Sequence, residues 1–543
     1  MAQGRCMPFR QASSWHGAGI RASRACLSTA AATPLSWQST RKPTMGSASS
    51  LRCLWAVAAA PLLAVGGLGS APGEGIVLLV RGQDTPHDAS LLEALTASVA
   101  EAGWAQRSVV SLASLARELG HEGLWSYKPW IFHLQRELQR SRSRVAGGQR
   151  WFVFLEPTTA VDPAALAALL GAYDAREDVY LGRALRDETS SILHSYSEEP
   201  PYPLVHAGFA LSGGLVQRLA RDLATRPLGE GLHHPQQIEP VFELAQWLRV
   251  LGVSITARGD AFCAMRRSGC ATWVSRRRPH RRSRGLAPQD VVIAVKTVEK
   301  FHASRIPHVH EFWGSTSAAE VLYLSNANFS GVPGADVVDL SPEFGSLVDP
   351  ARESTKQGSG HCSKMEAILR YLARHRAGRR WYVVTDDDTL LNVPGLLEVL
   401  DSHDDAEAVY LGERYGWGHR EESEGTNYIT TGGGMALSAR ALELLGACGA
   451  CTCHRPSAPD DMTLGAWFAE LRVRAVHEEG FHQAEPHNYH PEVLASGDPP
   501  VSFHRFAVRL PQSTPEAEKA AARRANWRAW AGEYFRPEPR GEL

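Results

Sequence analysis

The sequence predicts an α/β protein made of two tandem domains, each built around a mainly parallel sheet. Three observations point there. Short apolar runs bounded by polar residues, "GIVLLVR" (75–81) and "DVVIAVK" (290–296), have the length and composition of buried parallel strands. "VLYLSN" (321–326) and "WYVVT" (381–385) continue the series, separated by helical patterns such as "SKMEAILRYLARHR" (363–376), and strand–helix alternation signals a parallel sheet. Finally, the pattern occurs twice. "WFVFLEPTTAVDP" (151–163) echoes "WYVVTDDDTLLNV" (381–393), Trp151–Tyr180 and Trp381–Tyr410 are equally spaced, and both blocks end in "VYLG" (179–182 and 409–412). After a four-residue indel, "HAGFALSGG" (206–214) parallels "TGGGMALSA" (431–439), as expected of a duplicated domain.

Length and composition agree. At 543 residues the chain exceeds one ordinary domain, and 44% hydrophobic with 21% charged residues can fill substantial cores. A formal net charge of −1 argues against nucleic-acid binding. The expected division is an N-terminal extension (1–44), a signal peptide (45–71), a first domain (72–260), a basic linker (261–289), a second domain (290–510) and a tail (511–543). The leader rests on the apolar run "LWAVAAAPLLAVGGL" (54–68), preceded by Arg52 and followed by small residues. The linker rests on eight arginines, with no acid between Asp260 and Asp290. The final "RGEL" resembles a luminal retrieval signal that a retrieval receptor reads. Together the two ends suggest a soluble protein of the endoplasmic reticulum lumen. A type II membrane protein, anchored through an uncleaved leader, is the runner-up. Six cysteines beyond the leader, Cys263, Cys270, Cys362, Cys448, Cys451 and Cys453, suit disulfides in such a compartment, in pairings the sequence leaves open. Asn328-Phe329-Ser330 is the only glycosylation sequon.

The chemistry gathers in the second domain. Asp386, Asp387 and Asp388 follow an apolar strand, at the carboxyl edge where open α/β sheets bind ligands. Adjacent carboxylates repel unless a cation intervenes, and hard oxygen donors suit Mg²⁺, Mn²⁺ or Ca²⁺; an acidic turn capping a helix is the alternative. Gly432, Gly433 and Gly434 give backbone that a bulky ligand can approach closely. "APDDMTLGAWF" (458–468) sets Asp460 and Asp461 at a helix start, one to cap it and the other to face a cleft as general base. "VSFHRF" (501–506) offers His504 as a candidate metal ligand.

These blocks, with "KTVEKFHASRI" (296–306) and "VYLGERYG" (409–416), occur in an order that resembles the Fringe-like β-1,3-glycosyltransferases of glycosyltransferase family 31. The resemblance covers about 290–510. It implies GT-A-like domains, a nucleotide-sugar donor and a divalent metal, usually Mn²⁺. Asp388 and His504 would ligate the metal, Asp387 would bind beside it near the nucleotide, and Asp386 would support the site from behind. Asp461 would be the base, with Asp460 in reserve. Gly432–Gly434 would line the sugar pocket, and Thr297 and Arg305 would approach the nucleotide. The duplicated architecture and the tail look most like family members that transfer glucose from UDP-glucose to O-linked fucose on thrombospondin type 1 repeats. Transfer of N-acetylglucosamine or galactose is the alternative within the family, and a silent glycan-binding protein the alternative outside it. In the first domain, Glu156-Pro157-Thr158 replaces the aspartates and Glu239 is the first acid near the place of Asp460–Asp461. That domain is expected to be catalytically silent.

Overall fold

The computed structural model describes residues 75–535, apart from 106–107, 119–125, 142–149, 195, 226–237, 276–282, 350–360, 418–425, 456–457, 507 and 512. The leader and "RGEL" lie outside the described residues.

Two mixed sheets repeat one plan. In the N-terminal half, β1 (Ile76–Val80), β2 (Val109–Ser111), β3 (Trp151–Leu155), β5 (Tyr180–Gly182), β6 (Phe209–Ser212) and β7 (Thr256–Ala257) lie in the order β2-β1-β3-β6-β5-β7. In the C-terminal half, β10 (Val291–Lys296), β11 (Glu320–Ser325), β12 (Asp336–Asp339), β13 (Trp381–Asp386), β15 (Val409–Gly412), β16 (Met435–Ser438) and β17 (Arg474–His477) lie in the order β12-β11-β10-β13-β16-β15-β17. The C-terminal sheet adds only its edge strand, β12. In each sheet a single strand, β6 or β16, runs against the others. Even the register repeats, since Trp151 faces Ser212 as Trp381 faces Ser438. The α/β class with mainly parallel sheets stands.

The central strands are buried because both faces are covered. All six residues of β10 are buried, and Trp381, Val383 and Val384 of β13 are fully so. Burying each such Val or Ile side chain contributes about 1.5–3 kcal/mol, which makes this pair a stiff base for whatever its ends carry. One covering helix, His361–His375, presents Met365, Ile368, Leu369 and Leu372 at helical spacing, all buried.

Beside each main sheet lies a smaller pairing. β4 (Thr159–Val161) pairs antiparallel with β9 (Thr272–Val274), and β9 pairs with β8 (Phe262–Cys263). In the other half β14 (Thr389–Leu391) pairs with β18 (Ser502–His504). Two expected boundaries therefore move. Residues 261–275 are not linker: β8, β9 and the Cys263–Cys270 disulfide tie them to the N-terminal half, their short apolar segments having been hidden among arginines. The second domain also runs past 510 into the expected tail, because the helix Glu516–Tyr534 buries Trp527 completely against the C-terminal core. The other disulfides, Cys362–Cys453 and Cys448–Cys451, complete the pairing of all six cysteines.

The halves pack directly on each other. Gln83 donates to the carbonyl and accepts from the amide of His477, both at 2.7 Å, so its side chain extends the edge of β17 like another strand. Arg183 grips Glu492 with two bonds, and His206 Nδ1 lies 2.8 Å from Ser496 Oγ. Leu193 and Ile238 of one half join Tyr415, Ala484, Tyr489 and Leu494 of the other in an apolar cluster.

Candidate active site

The aspartates sit where β13 ends. Asp386 closes the strand, and Asp387 and Asp388 form the turn into β14. Register brings their partners. Lys296, last residue of β10, lies beside Asp386, while the β14–β18 ladder sets His504 opposite Thr389.

Lys296 is the buried cation of the site. Its Nζ lies 2.9 Å from Asp386 and 2.6 Å from Asp460. Burial opposes its charge, but the two carboxylates outweigh burial and hold its pKa above the usual value. Asp460 is held below the usual carboxylate range, Lys296 overcoming the opposing effect of burial. Asp387 accepts from Thr297 Oγ1 at 2.6 Å and from Arg305 at 2.5 Å, and Arg305 also reaches Asp388 at 3.0 Å. Burial pushes Asp387 up to about 6, against the pull of Arg305.

His504 faces the other way round the cluster. Its Nε2 lies 3.2 Å from Asp388 and 3.6 Å from Asp386, and its Nδ1 lies 3.0 Å from the Gln483 carbonyl. A carbonyl only accepts, so Nδ1 carries a proton and Nε2 is the nitrogen that faces the two carboxylates. Burial disfavours a charged imidazole, yet Asp388 and Asp386 outweigh it and raise the His504 pKa. Asp388 is correspondingly held below its usual range, His504 and Arg305 prevailing over burial. Three donors facing inward in this way call for a cation. Ligand atoms of Asp386, Asp388 and His504 all lie within 4.8 Å of one another, and two carboxylates with one imidazole fit a divalent metal.

This grouping corrects the sequence reading in one respect. The expected set was Asp388, His504 and Asp387, with Asp386 behind them; the structure brings Asp386 to His504 and turns Asp387 toward Thr297 and Arg305. The reason is local, because successive side chains diverge in a two-residue turn. Thr297 and Arg305 do reach the site, as holders of Asp387.

The glycines make room for His504. A Cβ on Gly432 would stand 2.5 Å from the imidazole, one on Gly433 would stand 2.9 Å from the Gln483 amide nitrogen, and Gly434 adopts φ +96°. Asp460 and Asp461 open the helix Asp460–Glu470, but neither caps it: Pro459 occupies the cap position without a side-chain bond. Asp461 accepts from the Met462 amide at 2.7 Å, and burial with the neighbouring Asp460 charge pushes its carboxyl up to about 7. One of the pair is therefore a pinned anion and the other a near-neutral acid/base. Lys296, Glu413 and Gln483 went unnoticed in the sequence. Lys296 had a signal, as the lone basic residue closing an apolar strand; the other two had none.

The N-terminal half offers an internal comparison. Arg81 follows β1 as Lys296 closes β10, and its Nε lies 2.8 Å from Glu156, the counterpart of Asp386. Pro157 and Thr158 replace Asp387 and Asp388. Thr159 faces Val274 as Thr389 faces His504, so a valine occupies the position of His504. The helix Pro240–Val250, matching Asp460–Glu470, begins Pro240-Val241, and Glu239 caps it by accepting from Phe242 N at 2.7 Å. Only the cation–carboxylate pair persists.

With this geometry in view, a family model described as Fringe-like matches residues 128–232 and 286–514, taking in parts of both halves. The chain belongs to the Fringe-like family. It is similar to a human protein named beta-1,3-glucosyltransferase, 34% identical over 80% of this chain and 82% of that one. A mouse protein of the same name is 33% identical over 73% and 76%. Bovine beta-1,3-N-acetylglucosaminyltransferase lunatic fringe is 33% identical, over only 24% of this chain and 31% of its own. Among solved structures, a galactosyltransferase, LgtC, aligns at a TM-score of 0.27 and 12% identity over 46% of this chain and 98% of that one, too slight a likeness to add to the fold described above. As a Fringe-like protein with this site, the chain is a glycosyltransferase.

Proposed function

We propose that the C-terminal half is an inverting, Mn²⁺-dependent β-1,3-glucosyltransferase that moves glucose from UDP-glucose to O-linked fucose on thrombospondin type 1 repeats. Support for glucose comes from the named activity of the human and mouse relatives, whose likeness spans most of this chain. The observation that carries the mechanism is the contrast between Asp460, pinned by Lys296, and Asp461, left with a pKa near neutrality beside the cation set. Asp461 accepts the proton of the fucose 3-hydroxyl as that oxygen bonds to the anomeric carbon of glucose, while the bond to the UDP oxygen breaks. Lys296 orients Asp386 and Asp460, and Arg305 with Thr297 holds Asp387 at the edge where the nucleotide enters. Asp386, Asp388 and His504 would hold the metal, which when bound supplies positive charge to the departing diphosphate.

The N-terminal half we read as non-catalytic, on the strength of Thr158, Val241 and Val274 at the ligand and base positions. Six paired cysteines support an oxidising compartment, and we place the protein in the endoplasmic reticulum lumen. No helix among the described residues is long and apolar enough to cross a membrane. The test is a donor panel of UDP-glucose, UDP-N-acetylglucosamine and UDP-galactose against O-fucosylated and unfucosylated thrombospondin repeats. Transfer confined to UDP-glucose and the fucosylated repeat is expected. Preference for another donor selects the alternative transferase, and binding without any transfer selects the glycan-binding protein.

A further inference from the structure

Gln483 touches three parts of the site with three different groups. Its carbonyl accepts from His504 Nδ1 at 3.0 Å, its side-chain Oε1 accepts from the Gly433 amide at 2.8 Å, and its own amide donates to the carboxylate of Glu413. Glu413 is buried at 7% exposure and also accepts from the Tyr489 hydroxyl at 2.9 Å. Burial pushes the Glu413 carboxyl up, so its two donors matter for keeping it in place. The ring nitrogen of His504 that points away from the cation set, and the loop on which that ring packs, thus depend on one half-buried residue clamped from behind by one buried acid.

The N-terminal half shows that the fold does not require this arrangement. There the residue after "VYLG" is Arg183 in place of Glu413, and its guanidinium leaves the sheet to bind Glu492. The segment between β7 and β9, residues 258–271, contains no Gln or Asn and is tied by the Cys263–Cys270 disulfide. His206 and Ala207 stand at the positions of Gly432 and Gly433, since Thr159 and Thr272 bond to their carbonyls as Thr389 and Ser502 bond to those of the glycines. The clamp is present in the half that keeps the ligand set and absent from the half that lost it.

We infer that Gln483 and Glu413 are positioning residues for the cation site: Glu413 fixes the Gln483 backbone, and Gln483 fixes both the tautomer of His504 and the Gly432–Gly434 loop against which that ring lies. The inference rests on the metal reading above. Hydrogen-bond partners behind a metal-binding histidine set its orientation, and losing one weakens metal affinity about 10–100-fold.

The experiment titrates the full-length chain with Mn²⁺ alone, following the free-ion signal by electron paramagnetic resonance, with no donor or acceptor present. Gln483→Met keeps size and removes the acceptor for Gly433; Glu413→Ala removes the clamp; Glu413→Gln keeps acceptors in its place. The expected result is an Mn²⁺ Kd raised at least about tenfold by Glu413→Ala, which frees the carbonyl behind His504, and at least about threefold by Gln483→Met, which keeps that carbonyl and loosens only the Gly433 loop, with Glu413→Gln within about threefold of wild type. Should Glu413→Ala fail to fold, Gln483→Met decides alone. A purely structural role would lower the melting temperature of Gln483→Met and leave its Kd unchanged, and that result overturns the inference. A wild-type chain that binds no Mn²⁺ overturns the metal reading itself, an outcome distinct from wild type and variants binding alike.

Discussion

Replacing Lys296 with Met tests the electrostatic frame of the site most directly. Lys296 is 6% exposed and stands between Asp386 and Asp460, themselves at 2.9 and 2.6 Å. Methionine fills much of the same space, so packing changes little and the charge is what goes. Removing one partner of a buried pair leaves an uncompensated charge and costs about 3–5 kcal/mol. At about 2–4 °C per kcal/mol for a unit of this size, the melting transition of the C-terminal half should fall by about 6–20 °C. The assay is thermal unfolding at pH 7.5 in EDTA, so that no added cation takes over from the lysine. pH supplies a second reading. In wild type Lys296 holds Asp460 below its usual range, a stabilisation present above the ordinary carboxylate pKa and lost as pH falls through the lowered value. In the variant burial acts unopposed and raises that pKa, so the penalty is largest at neutral pH and is relieved as the carboxyl protonates on acidification. The gap between variant and wild type should therefore narrow toward pH 5. A melting temperature within about 2 °C of wild type at pH 7.5 would refute the reasoning.

Further expectations concern turnover. Asp461→Asn should lower kcat by about 10²–10⁴-fold while UDP binding persists, measured by single-turnover transfer and calorimetry. Because the free base must be ionised and its pKa is raised to about 7, log kcat/KM should climb with pH below 7 and level above it; a flat profile from pH 5.5 to 8.5 would remove Asp461 from the role. EDTA, or Asp388→Ala, should abolish both Mn²⁺ binding and transfer, and activity surviving both would sink the metal assignment. Gly432→Ala puts a methyl 2.5 Å from the His504 ring, an overpacking cost of about 1–3 kcal/mol, and should weaken Mn²⁺ binding more than it lowers the melting temperature.

Much of the site was legible because local pattern carried it. The apolar run ending in three aspartates, the glycines before an apolar strand and the Asp460–Asp461 pair at a helix start each sit within one element. What failed were statements about direction and partnership. Asp386 lies toward His504 and Asp387 toward Arg305 because a turn, not a composition, decides where each carboxylate points. The stretch 261–275 read as linker because its two short strands are too brief to show periodicity, and pairing with β4 is what makes them strands.

The sequence by itself determined that the chain holds two copies of one α/β design, that acidic clusters survive in only one, and which strand edge carries them. Periodicity and repeated spacing encode such facts, since they depend on neighbours along the chain. Only the tertiary structure decided that Lys296 neutralises Asp460 across 164 residues, that Val274 stands where the other half has His504, and that Gln483 braces that histidine. Those depend on strand order and on the register of ladders joining distant segments. A side chain's charge and function at a sheet edge are set by what converges there.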